Sequence, residues 1–332
     1  MIKNGIKSNS GNMLKKSCIT ALVSFLIPFS VSANELASVA YQNVSLSSSN
    51  SLSPKLGVDD LCHKIARKLG SVTLSDCLGS NFSESGGVSV EGSPILVKEY
   101  PPLASRKPKS RVLVLGGIHG DEYSSVSIVF KWMKTLDRYH SGMFHWKVVP
   151  LVNPDGLLRK KSQRMNSRGV DLNRNFPTPN WEDKSNYYWV TKTRKNPRRY
   201  PGPEPLSEPE SQWLANYIDE FKPDVIVSIH APYGILDFDG PNHPPKKLGH
   251  LHLNVLGTYP GSLGNYAGIQ KEIPVVTIEL PYAGIMPTGR QIRNIWVDLV
   301  QWLKREADQP VKVSPTQQVQ NKDVIQTSDN AS

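Results

Sequence analysis

From about residue 96 the chain alternates short apolar runs with longer stretches whose apolar residues recur three and four apart. The runs at 111–115, 147–152, 224–229 and 275–280 are rich in Val, Leu and Ile and too short for helices. They predict buried strands. The stretches 124–137, 208–221 and 290–305 predict helices. In the last of them Ile292, Ile295, Trp296, Leu299 and Leu303 share one face, a stripe that reads as core packing. Strands alternating with helices in this way predict a layered α/β domain over residues 96–306.

The flanks follow other patterns. Lys15 and Lys16 precede an apolar run at 19–31, too short to span a bilayer, which ends in Val31-Ser32-Ala33. Residues 1–33 therefore read as a secretory signal peptide, with no integral membrane segment left after its removal. Residues 34–95 read as a small N-terminal region: a Ser- and Asn-rich lead-in, a helix at 61–69 opened by Asp59 and Asp60, and a Gly/Ser-rich loop at 80–93. The polar tail, 307–332, lacks an apolar face and reads as disordered.

Charge and cysteine usage add a compartment. The formal net charge is +10, and four of the lysines behind it lie in the leader. No basic stripe interleaved with aromatics points to nucleic acid. Of three cysteines, Cys18 lies before the apolar run, where it does not read as a lipid acceptor; Cys62 and Cys77 remain. In an exported protein such a pair reads as a disulfide, contributing roughly 3 kcal/mol for a loop of that size. A metal site there would need further ligands, and His63 alone is near.

Candidate chemistry gathers at strand ends. Gly116-Gly117-Ile118-His119-Gly120-Asp121-Glu122 follows the first strand, Asn153 the second, His230 ends the third and Glu279 the fourth. Ligand sites in α/β sheets form at those carboxyl ends. His119 or His230 alone reads as a hydrogen-bonded core histidine. Together with Glu122 they supply two neutral nitrogens and a carboxylate, the three-ligand pattern of a catalytic zinc site with one position open. The surplus charge on the cation would acidify a water and polarise a carbonyl. Glu279 ends an otherwise apolar strand, where a carboxylate is costly unless it is functional or paired with an arginine.

One further segment, Arg164-Met165-Asn166-Ser167-Arg168-Gly169-Val170-Asp171-Leu172-Asn173-Arg174-Asn175-Phe176-Pro177, completes a pattern with His119, Glu122, Asn153-Pro154-Asp155-Gly156, His230 and Glu279. From about residue 110 to 300 the chain resembles the zinc carboxypeptidases of the carboxypeptidase A type. Among them it looks most like the bacterial murein peptide amidases, which cut the γ-D-glutamyl–diaminopimelate bond of cell-wall peptides. The resemblance implies a three-layer α/β/α sandwich with a central mixed, mostly parallel sheet. It implies one zinc ion on His119, Glu122 and His230, and a water there activated by Glu279, which acts as base and then acid. Arg164 would polarise the carbonyl, with Arg159 and Arg168 as less well-spaced alternatives. Asn173 and Arg174 would grip a terminal carboxylate. Asp171 reads as a buttress. The mobile tyrosine of the family has its nearest match in Tyr259, with Tyr266 competing. Asp237 and Asp239 read either as loop carboxylates or as readers of a substrate amino group, and 194–199 as a solvated basic loop. The expected partner is a peptide, first of all a peptidoglycan stem peptide. A general carboxypeptidase or an inactive cell-wall-binding module are the competing expectations.

Overall fold

Side chains along the central strands alternate between two cores. Val112 and Val114 face one of them and Leu113 and Leu115 the other; Val227 and Ile226 divide in the same way. The computed structural model describes residues 53–307 except 84 and 242, so the predicted leader and tail lie outside the described residues. The strands are β1 (Lys98–Tyr100), β2 (Arg111–Leu115), β3 (His145–Val149), β4 (Val225–His230), β5 (Ile235–Asp239), β6 (Lys247–Leu248), β7 (Leu251–His252) and β8 (Val275–Glu279). Six form one sheet in the order β1-β3-β2-β4-β8-β5, while β6 and β7 pair separately. The four inner strands are parallel and both edge strands antiparallel, giving the mixed, mostly parallel sheet expected.

Helices cover both faces. They are α1 (Ser53–Lys68), α2 (Leu74–Leu78), α3 (Tyr123–Tyr139), α4 (Pro154–Leu158), α5 (Trp181–Tyr187), α6 (Pro209–Phe221) and α7 (Gly289–Ala307). Leu61 and Ile65 of α1, Val129 and Met133 of α3, and Leu299 and Leu303 of α7 pack on one face. Leu214 and Ile218 of α6 pack on the other, together with a π-helical turn, Gly264–Gln270. Among the described residues no helix is long and apolar enough to cross a membrane.

The differences from expectation are local. The second strand ends at Val149 rather than 152, because Pro150 has no N–H for a ladder. The edge strands β1 and β5 were not predicted. One has only three residues, and the other carries Asp237 and Asp239 at alternate positions, which read as loop. In the N-terminal region a disulfide joins Cys62 of α1 to Cys77 of α2, with Cα atoms 5.4 Å apart. Thr73 caps α2 in a reciprocal pair with Asp76. At the end of α1, Lys68 Nζ donates to the carbonyls of Arg159 (2.6 Å) and Lys160 (3.3 Å), on the segment that follows α4 and leads to Arg164.

Candidate active site

The turn after β2 bends because two loops nearly touch. A Cβ at Gly120 would collide with the backbone of Gly156 and Leu157, so only glycine fits. Asn153 clasps the same loops: its amide nitrogen donates to the carbonyls of Ile118 and Arg164, and its Oδ1 accepts from Gly156 N–H. Asn153 is thus a brace and does not line the cavity. The turn delivers His119 and Glu122 to the mouth of the sheet, Glu122 directly before α3.

Three donors converge there. His119 Nδ1 lies 2.8 Å from Glu122 Oε1, and His230 Nδ1 lies 3.1 Å from Glu122 Oε2 and 3.1 Å from His119 Nδ1. The far nitrogens have their own partners: His119 Nε2 meets Asp171 Oδ1 at 3.2 Å, and His230 Nε2 meets Ser228 Oγ at 3.0 Å. Protons held at both Nε2 atoms leave two Nδ1 lone pairs facing each other beside a carboxylate. A metal cation shared by the three makes that arrangement favourable. Ligands about 2.0–2.1 Å from a tetrahedral zinc stand roughly 3.3 Å apart, so the set fits zinc after a small opening. All three residues are buried, and among the described residues no other such group of metal donors is found.

These residues line a cavity of about 400 Å³, which Glu279, Arg164, Asn173, Arg174 and Tyr259 also line. Glu279 pairs in parallel register with His230, and its Oε2 is buried without a hydrogen bond. Burial pushes its carboxyl above the usual range; His230 pulls it back and Glu122 pushes it further up. Arg164 Nε donates to Asp171 Oδ2 at 2.8 Å, and its Nη1 lies 3.5 Å from Glu122 Oε1. Burial opposes ionisation of Asp171, but Arg164 and His119 hold its carboxyl well below the usual range.

Arg174 is a buried cation with a donor to spare. Its Nη1 donates to Asn173 O, but its Nε is buried with no partner. Burial lowers its pKa to about 10, with Arg164 and Arg199 adding to the shift and Asp171 opposing it. Asn173 Oδ1 accepts from Leu263 N–H, which turns its amide NH2 away from that bond. Tyr259 lies over Arg174, 4.5 Å from guanidinium carbon to ring centre, whereas Tyr266 stacks on Phe176 in the core. Arg168 is exposed near Glu208, and neither it nor Arg159 lines the cavity.

Two features escaped the sequence reading. Arg198 and Arg199, read as part of a solvated loop, line the cavity, and Arg198 pairs with Asp121 at 2.7 Å. Nothing local in their sequence marks this. Ser228 behind His230 could have been found from strand period alone, since it lies two residues earlier on the same face.

A layered α/β sheet whose carboxyl edge presents two imidazoles and a carboxylate to one open cavity defines a mononuclear metallohydrolase. The family model described as zinc carboxypeptidase matches residues 82–236. Murein peptide amidase A of Escherichia coli K12 is 32% identical over 244 residues, covering 69% of this chain and 93% of that protein. The protein of the same name from Vibrio campbellii is 32% identical over 204 residues, covering 59% and 78%. The chain belongs to the zinc carboxypeptidase family. Its fold is also that of the crystal structure of carboxypeptidase A from Helicoverpa armigera, with a TM-score of 0.55 at 18% identity, covering 77% of this chain and 73% of that one.

Proposed function

We propose that this zinc hydrolase is exported and cuts the γ-D-glutamyl–diaminopimelate amide of peptidoglycan stem peptides. The observation that carries the chemistry is the gathering, in one cavity, of the metal donors, the Glu279 carboxylate with its unbonded Oε2 and the Arg174 guanidinium with its unbonded Nε. The murein substrate is supported by the named relatives. Export is supported by the leader pattern and by the Cys62–Cys77 disulfide, which suits an oxidising compartment.

His119, Glu122 and His230 would hold a zinc ion, and that ion would supply Lewis acidity to a carbonyl and to a water. Glu279 takes a proton from the attacking water and returns it to the leaving amine as the C–N bond breaks. Arg164, aligned by Asp171, donates to the carbonyl oxygen as negative charge develops. Arg174 and the Asn173 amide hold the carboxylate of the departing residue. Tyr259 covers that end of the cavity.

Glu279→Gln should lower kcat by about 10²- to 10⁴-fold while zinc stays bound. Near-normal turnover in that variant, with metal analysis showing one zinc, would remove Glu279 from its role. The mature protein should release diaminopimelate from free murein tripeptide. Steady cleavage of ordinary L-peptides with no such release would make it a general carboxypeptidase. N-terminal sequencing of the exported protein should begin at residue 34, and an intact leader on it would refute the export reading.

A further inference from the structure

The turn before Tyr200 brings Arg198 and Arg199 to the cavity, and the fold braces it. Asn196 Oδ1 accepts from Arg198 N–H, while Asn196 O accepts from Arg199 N–H and from Trp189 Nε1. The rings of Trp189 and Tyr200 pack 5.0 Å apart, and Tyr200 O accepts from Asp171 N–H. Arg198 reaches across to Asp121, beside Glu122.

Charge at this turn is unbalanced. Of the arginines lining the cavity, Arg164 is held by Asp171 and Arg198 by Asp121. Arg199 is partly buried, and among the described residues it pairs with no carboxylate. Its charge adds to the lowering of the Arg174 pKa, so the two guanidiniums stand close. Holding one cation near another is costly until an anion enters. Each open fork can take a carboxylate, and a single terminal carboxylate leaves one of the two unused.

We propose that Arg199 is a specificity residue that binds a second carboxylate of the substrate, carried on the acyl side of the scissile amide. This deepens the proposed function and rests on it. A glutamyl residue linked through its γ-carbon keeps a free α-carboxylate on that side, whereas the backbone of an ordinary α-linked peptide keeps none. The departing end is less suited to a further carboxylate. Asp239 lines the cavity against Gly264, next to the Leu263 that bonds Asn173, and would repel it. The Arg199 turn is fastened instead to Asp121, on the turn that carries His119 and Glu122.

The test uses compounds that differ in one group. Wild-type protein should cleave L-alanyl-γ-D-glutamyl-diaminopimelate about 10- to 100-fold faster, in kcat/KM, than the same peptide with its glutamyl α-carboxylate amidated. Arg199→Gln should bring that ratio towards unity through a raised KM, and Arg199→Lys should restore part of it; the wild-type ratio stands whether or not either variant folds. Equal wild-type rates, or an equal loss on both compounds in Arg199→Gln, overturn the subsite and leave the amidase reading intact. L-Alanyl-γ-D-glutamyl-lysine lacks the distal carboxylate of diaminopimelate. If Arg199→Gln erases discrimination against this compound instead, the second carboxylate lies on the departing residue and the acyl-side assignment is overturned. If no γ-glutamyl compound is cut, the murein reading falls, and α-linked peptides with glutamate or glutamine on the acyl side decide the subsite. A glutamate preference lost in Arg199→Gln upholds it; no preference, or no cleavage, overturns it.

Discussion

Asp171 is fully buried; its Oδ1 meets His119 Nε2 and accepts from Asn173 N–H, and its Oδ2 accepts from Arg164 Nε. One carboxylate therefore sets both an imidazole tautomer and the plane of a guanidinium. Asp171→Asn preserves shape but replaces an acceptor by a donor, and should weaken zinc binding about 10- to 100-fold, read by chelator competition. Unchanged affinity would show that His119 orients itself. Asp239 gives a prediction of opposite sign for stability. Its folded pKa, about 7, lies above the ordinary aspartate value of 3.8, so its contribution is fully present below about pH 3.8 and is lost as pH rises through 7. Asp239→Asn should thus stabilise the ligand-free protein at pH 8 relative to pH 5, by about 2 kcal/mol after allowing for solvent in the cavity. Thermal melts at the two pH values measure it, and equal shifts at both would contradict the buried acid. His119, Glu122, His230 and Glu279 are legible in the sequence because such side chains at the ends of apolar strands have few cheaper uses. The double contact of Asp171 is not, because it exists only once distant segments close.

At the scale of elements, the inner strands β2, β4 and β8 are readable as apolar runs because both faces are buried. Edge strand β5 hides behind its two acids, which follow the alternation of a strand but carry the composition of a turn. The ends of the elements matter more to the site than their interiors. Glu122 stands where the loop after β2 becomes α3, and its position depends on the contact of Gly120 with the Gly156–Leu157 backbone. Gly120→Ala would push these loops apart and should cost about 1–3 kcal/mol of stability, together with weaker zinc binding. Urea unfolding with and without zinc separates the two effects. A variant as stable as the parent and equally avid for zinc would show that the loops can yield.

At the scale of the molecule, the N-terminal helices share the core that carries α3 and α7, and the Cys62–Cys77 bond fastens them. Replacing both cysteines by serine should remove about 3 kcal/mol, measured by denaturant unfolding. The same fastening reaches the chemistry by a short path. α1 ends in Lys68, which holds the carbonyls of Arg159 and Lys160 a few residues before Arg164, and Tyr123, beside Glu122, bonds Ser162 on the same segment. The metal donors are carried by the turn after β2 and by β4, which Lys68 does not touch. In the serine variant zinc content should therefore survive while kcat drops severalfold; loss of zinc in step with activity would count against this division. Assembly then has an order. On that division the reduced chain would hold zinc and turn over severalfold more slowly than the oxidised one. Under the proposed export, the compartment that makes the enzyme would hold this slower, reduced form.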